Sequence, residues 1–186
     1  MSIMFSQCKE LEYLNLSNFD TSNLMDMKAM FFNCHKLKEI KGIDKFKTPK
    51  VFYMDGMFRQ CNELEYLDLS NFDTSHTVEM SGIFFNCHKL KEIKGINKFN
   101  TSFVRNMQAM FKSCYELEYL DLSNFDTSNT SNFSYMFNQC NKLKYLNILN
   151  FSLKENACFD NMFSFESKKN CNFITNNKIL KIVYNS

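Results

Sequence analysis

Eight cysteines and three histidines are the residues of this chain best suited to covalent or metal chemistry. Six of the cysteines form a row. Cys8, Cys34, Cys61, Cys87, Cys114 and Cys140 are separated by 26, 27, 26, 27 and 26 residues. Zinc sites bring ligands in close sequence pairs, and no Cys-x-x-Cys occurs here. A thiol at every turn of a regular repeat reads instead as a small side chain filling the same interior position. Stacked disulfides between neighbouring turns are the alternative, since adjacent turns can bring Cα atoms within bridging range. Cys158 and Cys171 stand outside the row and are the expected reactive or paired thiols. His35 and His88 each follow a row cysteine, 53 residues apart, and read as solvated corner residues rather than ligands of one ion. His76 is isolated.

A second set of rows could bind rather than react. Tyr13, Glu39, Tyr66, Glu92, Tyr119 and Tyr145 share one repeat position. Two residues further on come Asn15, Lys41, Asp68, Lys94, Asp121 and Asn147, and one residue before come Glu12, Lys38, Glu65, Lys91, Glu118 and Lys144. Stacked in register, lysines would lie between acids along a sheet, favouring the correct register because like charges directly opposite repel. Tyrosine is large, rigid and amphipathic, which suits a contact surface. The candidate partner-binding residues are therefore Tyr13, Tyr66, Tyr119 and Tyr145, with Lys41, Asp68, Lys94 and Asp121 between them. A threonine row, Thr21, Thr48, Thr74, Thr101 and Thr127, is expected to bond backbone at a corner. One threonine per turn on a curved face does not make an ice-binding surface.

These rows exist because the chain repeats. Leu-Ser-Asn-Phe-Asp-Thr begins at Leu16, Leu69 and Leu122, 53 residues apart, and Leu11, Leu37, Leu64, Leu90, Leu117 and Leu143 mark the half-interval. Such self-similarity belongs to a solenoid. Leu14 and Leu16 alternate with polar residues as in a half-buried strand. Leu24, Met27, Met30 and Phe31 then recur at offsets of three and four, which predicts a short helix with Ser22 at its N-cap. The expected fold class is α/β: a solenoid of about six coils, with a parallel sheet on one face and short helices on the other. Six strands at the usual spacing span roughly 25 Å. Coils two and four carry an extra residue beside Gly42 and Gly95, read as a bulge.

The domain organisation follows as one unit, 1–186. Residues 1–10 are a partial repeat, since Met1–Cys8 aligns with Met27–Cys34. Full repeats occupy 11–36, 37–63, 64–89, 90–116, 117–142 and 143–169, and 170–186 is a C-terminal cap. Starting inside a repeat suggests a fragment of a longer protein, or a chain lacking its N-terminal cap and any export signal with it. In the cap, Phe173-Ile174 and Ile179–Tyr184 around Asn176-Asn177 read as a β element, a hairpin, with Lys178 and Lys181 guarding its edge.

Composition narrows the function. Net charge is +2, which leaves no strong electrostatic footprint for nucleic acid or an anionic membrane. No run of eighteen apolar residues exists to span a bilayer. Phe (21) and Met (12) are abundant and Trp is absent, as suits thin layers each filled by one or two bulky side chains. There is no phosphate loop and no nucleophile–base pair outside the repeat, so neither an enzyme nor a cofactor is expected. Five Asn-x-Ser/Thr sequons, the first at Asn15, carry little weight in so Asn-rich a chain.

Leu-Asp-Leu-Ser-Asn-Phe-Asp-Thr-Ser, followed by Met-x-x-Met-Phe-x-x-Cys-x-x-Leu, resembles the BspA-like leucine-rich repeats of bacterial and protist surface proteins. The mycoplasma-type repeat of about this length is the nearest in pattern, from Met1 to about Phe163. Phe19, Phe72 and Phe125 depart from the general leucine-rich repeat, where Asn or Cys follows the strand. The resemblance implies a cell-surface or extracellular adhesion or protein-interaction module with a protein or glycan ligand and no catalytic residues. A cytoplasmic location is the alternative, because this chain shows no signal peptide. A structural spacer, self-associating end to end through its first layer, is the alternative role.

Overall fold

The computed structural model describes residues 1–168 and 171–185. The boundary proposed between the last repeat and the cap, at 169 and 170, lies outside the described residues, as does Ser186.

Six three-residue strands recur at the predicted position: β1 (Tyr13–Asn15), β2 (Glu39–Lys41), β3 (Tyr66–Asp68), β4 (Glu92–Lys94), β5 (Tyr119–Asp121) and β6 (Tyr145–Asn147). All pairing between them is parallel and places equivalent residues side by side, Leu14 opposite Ile40 and Leu67 opposite Ile93. The chain is thus a solenoid wound in the predicted register. Its strands, however, pair in couples. β1 joins β2, β3 joins β4, and β5 joins β6 and a later strand β7 (Asn172–Ile174), with no ladder between β2 and β3 or between β4 and β5.

The extra residue of coils two and four lies close to these breaks. Gly42 and Gly95 adopt left-handed φ values of 87° and 85° and lead into 3-10 turns over Ile43–Lys45 and Ile96–Lys98. The predicted bulge is therefore a tight turn. A Cβ on Gly42 would sit 2.5 Å from Ser17 Cα, and one on Gly95 2.5 Å from Ser70 Cα, so both the conformation and the space demand glycine.

The predicted helices on the opposite face are not there. Between Thr21 and Leu37 the backbone advances by successive turns: Met30 N–H donates to Met27 O, Phe32 to Ala29 O, Cys34 to Phe31 O and Leu37 to Cys34 O. The alternate amides of Met27, Ala29, Phe31 and Asn33 donate to the next coil, to Tyr53, Asp55, Met57 and Arg59 carbonyls. A helix would have kept these bonds within the coil. Chained turns project residues 27, 30, 31 and 34 inward, the same set an amphipathic helix would bury. The apolar spacing is real, but its backbone cause is different. Ser22 is not a helix cap; its amide and hydroxyl both donate to Asp20 Oδ1, an Asx turn. Each turn needs a left-handed residue, supplied by Asn33, Gln60, Asn86, Ser113 and Gln139 ahead of the cysteines.

Every coil adds one layer to the core. Phe5, Phe31, Phe58, Phe84, Phe111, Phe137 and Phe163 form a single stack with ring centroids 5.4–5.9 Å apart. A parallel bridge also runs unbroken on this turn side, Asp26–Tyr53–Glu79–Asn106–Asn132–Cys158. The last layer is closed by a short helix α1 (Phe165–Lys168), by β7 and by a helix α2 (Lys178–Asn185), not by a hairpin. Leu180 is fully buried, with Val183 and Tyr184 packed on the same side, a helical spacing. Asn177 Oδ1 caps α2 by accepting the amides of Ile179 and Leu180.

Candidate interaction surface

The cysteine row is interior. Cys34, Cys61, Cys87, Cys114 and Cys140 are free and fully buried; Cys8, in the first partial coil, is exposed. Each of the five thiols donates to the carbonyl of a row phenylalanine in the preceding coil at 3.0–3.2 Å, as Cys87 does to Phe58 O. Burial pushes Cys34 up to about 11 and Cys87 and Cys140 up to about 12, so none is a nucleophile at neutral pH. Outside the row, Cys158 is exposed beside Ser134 Oγ (2.9 Å), and Cys171 is half-buried with its thiol pushed up by desolvation. Both are unpaired, and no group of three metal-binding side chains occurs among the described residues.

His35 and His88 are less solvated than expected, whereas His76 is exposed. Asn62 links His35 (3.3 Å) to His88 (3.2 Å), and His88 stacks on Tyr115 at 4.7 Å. Partial burial, and secondarily His35, lowers the affinity of His88 for a proton. This is a packed polar column. The threonine row behaves as predicted: Thr21, Thr48, Thr74, Thr101 and Thr127 donate to the backbone of the next coil at 2.8–2.9 Å.

The strand face carries the residues chosen from the sequence. Tyr13, Tyr66 and Tyr119 are 63, 47 and 60 % exposed although they lie within strands. Tyr145 is half-buried, its ring stacked on Tyr119 at 4.5 Å and 5°. Alternation turns each central Leu or Ile inward and these rings outward. Lys94 Nζ bonds Asp68 at 2.7 Å, and this pair with the Ser70 amide holds the Asp68 carboxyl down at about 2. Lys41 faces Asn15 and Asp121 faces Asn147, so neither has an ionic partner across its strand pair. The outer acid–lysine row also pairs only inside couples: Glu12–Lys38, Glu65–Lys91 and Glu118–Lys144 at 2.6–2.7 Å. The alternation of charge is real; a continuous charge ladder along the sheet is not formed.

The sequence did not reveal what the breaks create. Between β4 and β5 a cleft of about 460 Å³ opens, lined by Lys94, Gly95, Ile96, Tyr119 and Asp121 among others. The signal for it was the 26/27 alternation, whose extra residue becomes a 3-10 turn close to the gap.

Fold and surface together define a leucine-rich-repeat type solenoid with an aromatic, mixed-charge strand face. The family described as "Mycoplasma protein of unknown function, DUF285" matches residues 1–95 and again residues 67–177. The chain belongs to that family, which is the BspA-like repeat family its motifs resemble. Among solved structures, a crystal structure of a T. pallidum leucine-rich repeat protein (TpLRR) is similar, with 18 % identity and a TM-score of 0.44. The match covers 76 % of this chain and 69 % of that one. No curated protein matches significantly.

Proposed function

We propose that this solenoid is a non-enzymatic interaction module that engages a protein partner through its strand face, displayed at the cell surface. The observation that carries the reading is the column of exposed tyrosines held in register beside fixed charges. Tyrosine anchors of this kind dominate contact energetics because they desolvate a large area at low side-chain entropy. The cleft beside Tyr119 offers a concave seat, and Lys41 and the Asp121 oxygen not bonded to the Ser123 amide can form ion pairs across the interface. Family membership supports surface display by analogy; protease shaving of intact cells tests it, and a chain protected from added protease would end that part of the reading.

The decisive experiment is affinity capture and titration of the partner with Tyr66→Ala and Tyr119→Ala. Hot-spot truncations of this type weaken binding by roughly 2 kcal/mol or more each. The melting temperature should hardly move, because both rings are exposed. Undiminished affinity would remove the strand face from consideration. A second reading, end-to-end association, is favoured by exposed Ile3 and Met4 in the first layer and Ile179 and Ile182 on α2. Sedimentation across a concentration series separates the two.

A further inference from the structure

The turn side carries a groove that none of the sequence motifs assigned. It runs along the solenoid and encloses about 520 Å³. Its floor is one repeat position, occupied by Ala29, Gly56, Gly82 and Ala109 in four successive coils. The same position holds Ile3 before them and Tyr135 after them, so bulky side chains bracket a stretch of small ones. Packing does not require the small residues. A Cβ on Gly56 or Gly82 would meet its nearest neighbour at 3.7 or 3.5 Å, ordinary contact. Left-handed φ favours glycine at 56 and 82 but does not dictate small size at this position, since Ala29, Ala109 and Tyr135 adopt 48°, 53° and 62°. What their size does is keep the groove open.

One wall is a laminate of rings and cations. The Arg59 guanidinium lies over Phe32 (5.7 Å) and Phe85 (4.7 Å), and Lys112 Nζ lies over Phe85 (5.5 Å) and Tyr135 (4.4 Å). Neither cation makes an ion pair with a described residue, whereas Lys28 on the other wall is neutralised by Asp55 at 3.0 Å. A guanidinium held by ring faces keeps its N–H edges available and pre-oriented for a planar or tetrahedral acid group. Arg59 and Lys112 stand two coils apart, about 10 Å at the usual strand spacing.

The floor offers no backbone to read. The amides of Ala29, Gly56, Gly82 and Ala109 donate to the next coil at 2.8–2.9 Å, and their carbonyls accept the local turn amides at 3.0–3.2 Å. An extended peptide would find no strand edge here, and its own N–H and C=O groups would go unmatched. The ring faces are occupied by cations, so nucleobases would find no stacking platform. We infer that this groove binds a linear acidic polysaccharide, with acid groups on alternate sugars meeting Arg59 and Lys112 while the chain lies over the small-residue floor. The site is independent of the strand-face reading.

The test is titration of the purified chain with two tetrasaccharides, one of alternating glucuronate and N-acetylglucosamine and one from heparin, against neutral chitotetraose. Saturable binding of at least one acidic probe is expected, with amide shifts at Ala29, Gly82 and Ala109. Arg59→Gln should weaken it about tenfold, the scale of a charge-assisted bond. Ala109→Tyr, which copies the ring already tolerated at Tyr135 and changes no charge, should abolish it. Lys98→Gln, on an exposed lysine of the strand side, should leave it unaltered. Equal binding of chitotetraose, no binding of either acidic probe, or an equal loss in Lys98→Gln and Arg59→Gln would overturn the inference. So would an octaglutamate peptide binding as tightly with the same dependence on Arg59. If Ala109→Tyr does not fold by circular dichroism, the pattern of amide shifts in the wild type decides the location.

Discussion

The strand side and the turn side of this solenoid are built from the same coils, yet only one of them is continuous. On the turn side a bridge passes through every coil from Asp26 to Cys158, and the phenylalanine stack runs beneath it. On the strand side the ladder breaks after β2 and again after β4, and only the last couple continues, into β7. Axial cohesion is therefore carried mainly by the turns and the core. The strand face, relieved of that duty, can leave tyrosines exposed and clefts open. The comparison teaches that the structural unit is the 53-residue double coil, though the side-chain period is half of it.

Removing a ring from the stack should do the most damage. Phe84 is fully buried between Phe58 and Phe111, so Phe84→Ala should cost about 3–5 kcal/mol in denaturant unfolding. A loss below 1 kcal/mol would mean that the turn side does not carry cohesion. Glycines sharpen the contrast further. Gly95→Ala forces a Cβ into Ser70 backbone at 2.5 Å, whereas Gly82→Ala meets only Phe85 Cβ at 3.5 Å. Gly82→Ala should cost about 1 kcal/mol for its left-handed φ, and Gly95→Ala well over that, read from paired melting curves. Equal costs would argue against the 3-10 turn as a rigid joint.

Smaller effects belong to the corners. Thr48 Oγ1 donates to Asp73 O and accepts from Asp73 N–H, both at 2.8 Å. Thr48→Val should lose about 1–3 kcal/mol, because both backbone groups are left unpaired. Exposed ion pairs should matter least. Lys94→Gln should change stability by less than about 1 kcal/mol at neutral pH. The Asp68 carboxyl is depressed in the folded state, so its contribution is present above the usual carboxylate range and is lost as pH falls towards about 2. Lys94→Gln should flatten that acid decline, measured as melting temperature between pH 5 and 2. A steeper decline in the variant would contradict the pairing.

Much of this could be read directly from residue spacing. The leucine, cysteine and threonine rows became the columns they implied, because a repeat of near-constant length must superimpose equivalent positions. The tyrosine and charge rows landed outward for the same reason. The helix expectation failed because residues 27, 30, 31 and 34 look alike whether buried by a helix or by chained turns. The asparagine, glutamine and serine before each cysteine were the missed clue, since several of these residues tolerate left-handed φ better than branched side chains do.

What the sequence alone determined was the period, the inward and outward sets, and the parallel register, all consequences of side-chain chemistry repeated at fixed intervals. Only the tertiary structure decided where backbone amides find their acceptors. That choice, between the same coil and the next, depends on neighbours brought together by winding. It made turns of the predicted helices, broke the sheet after β2 and β4, and opened a groove where two alanines and two glycines line up.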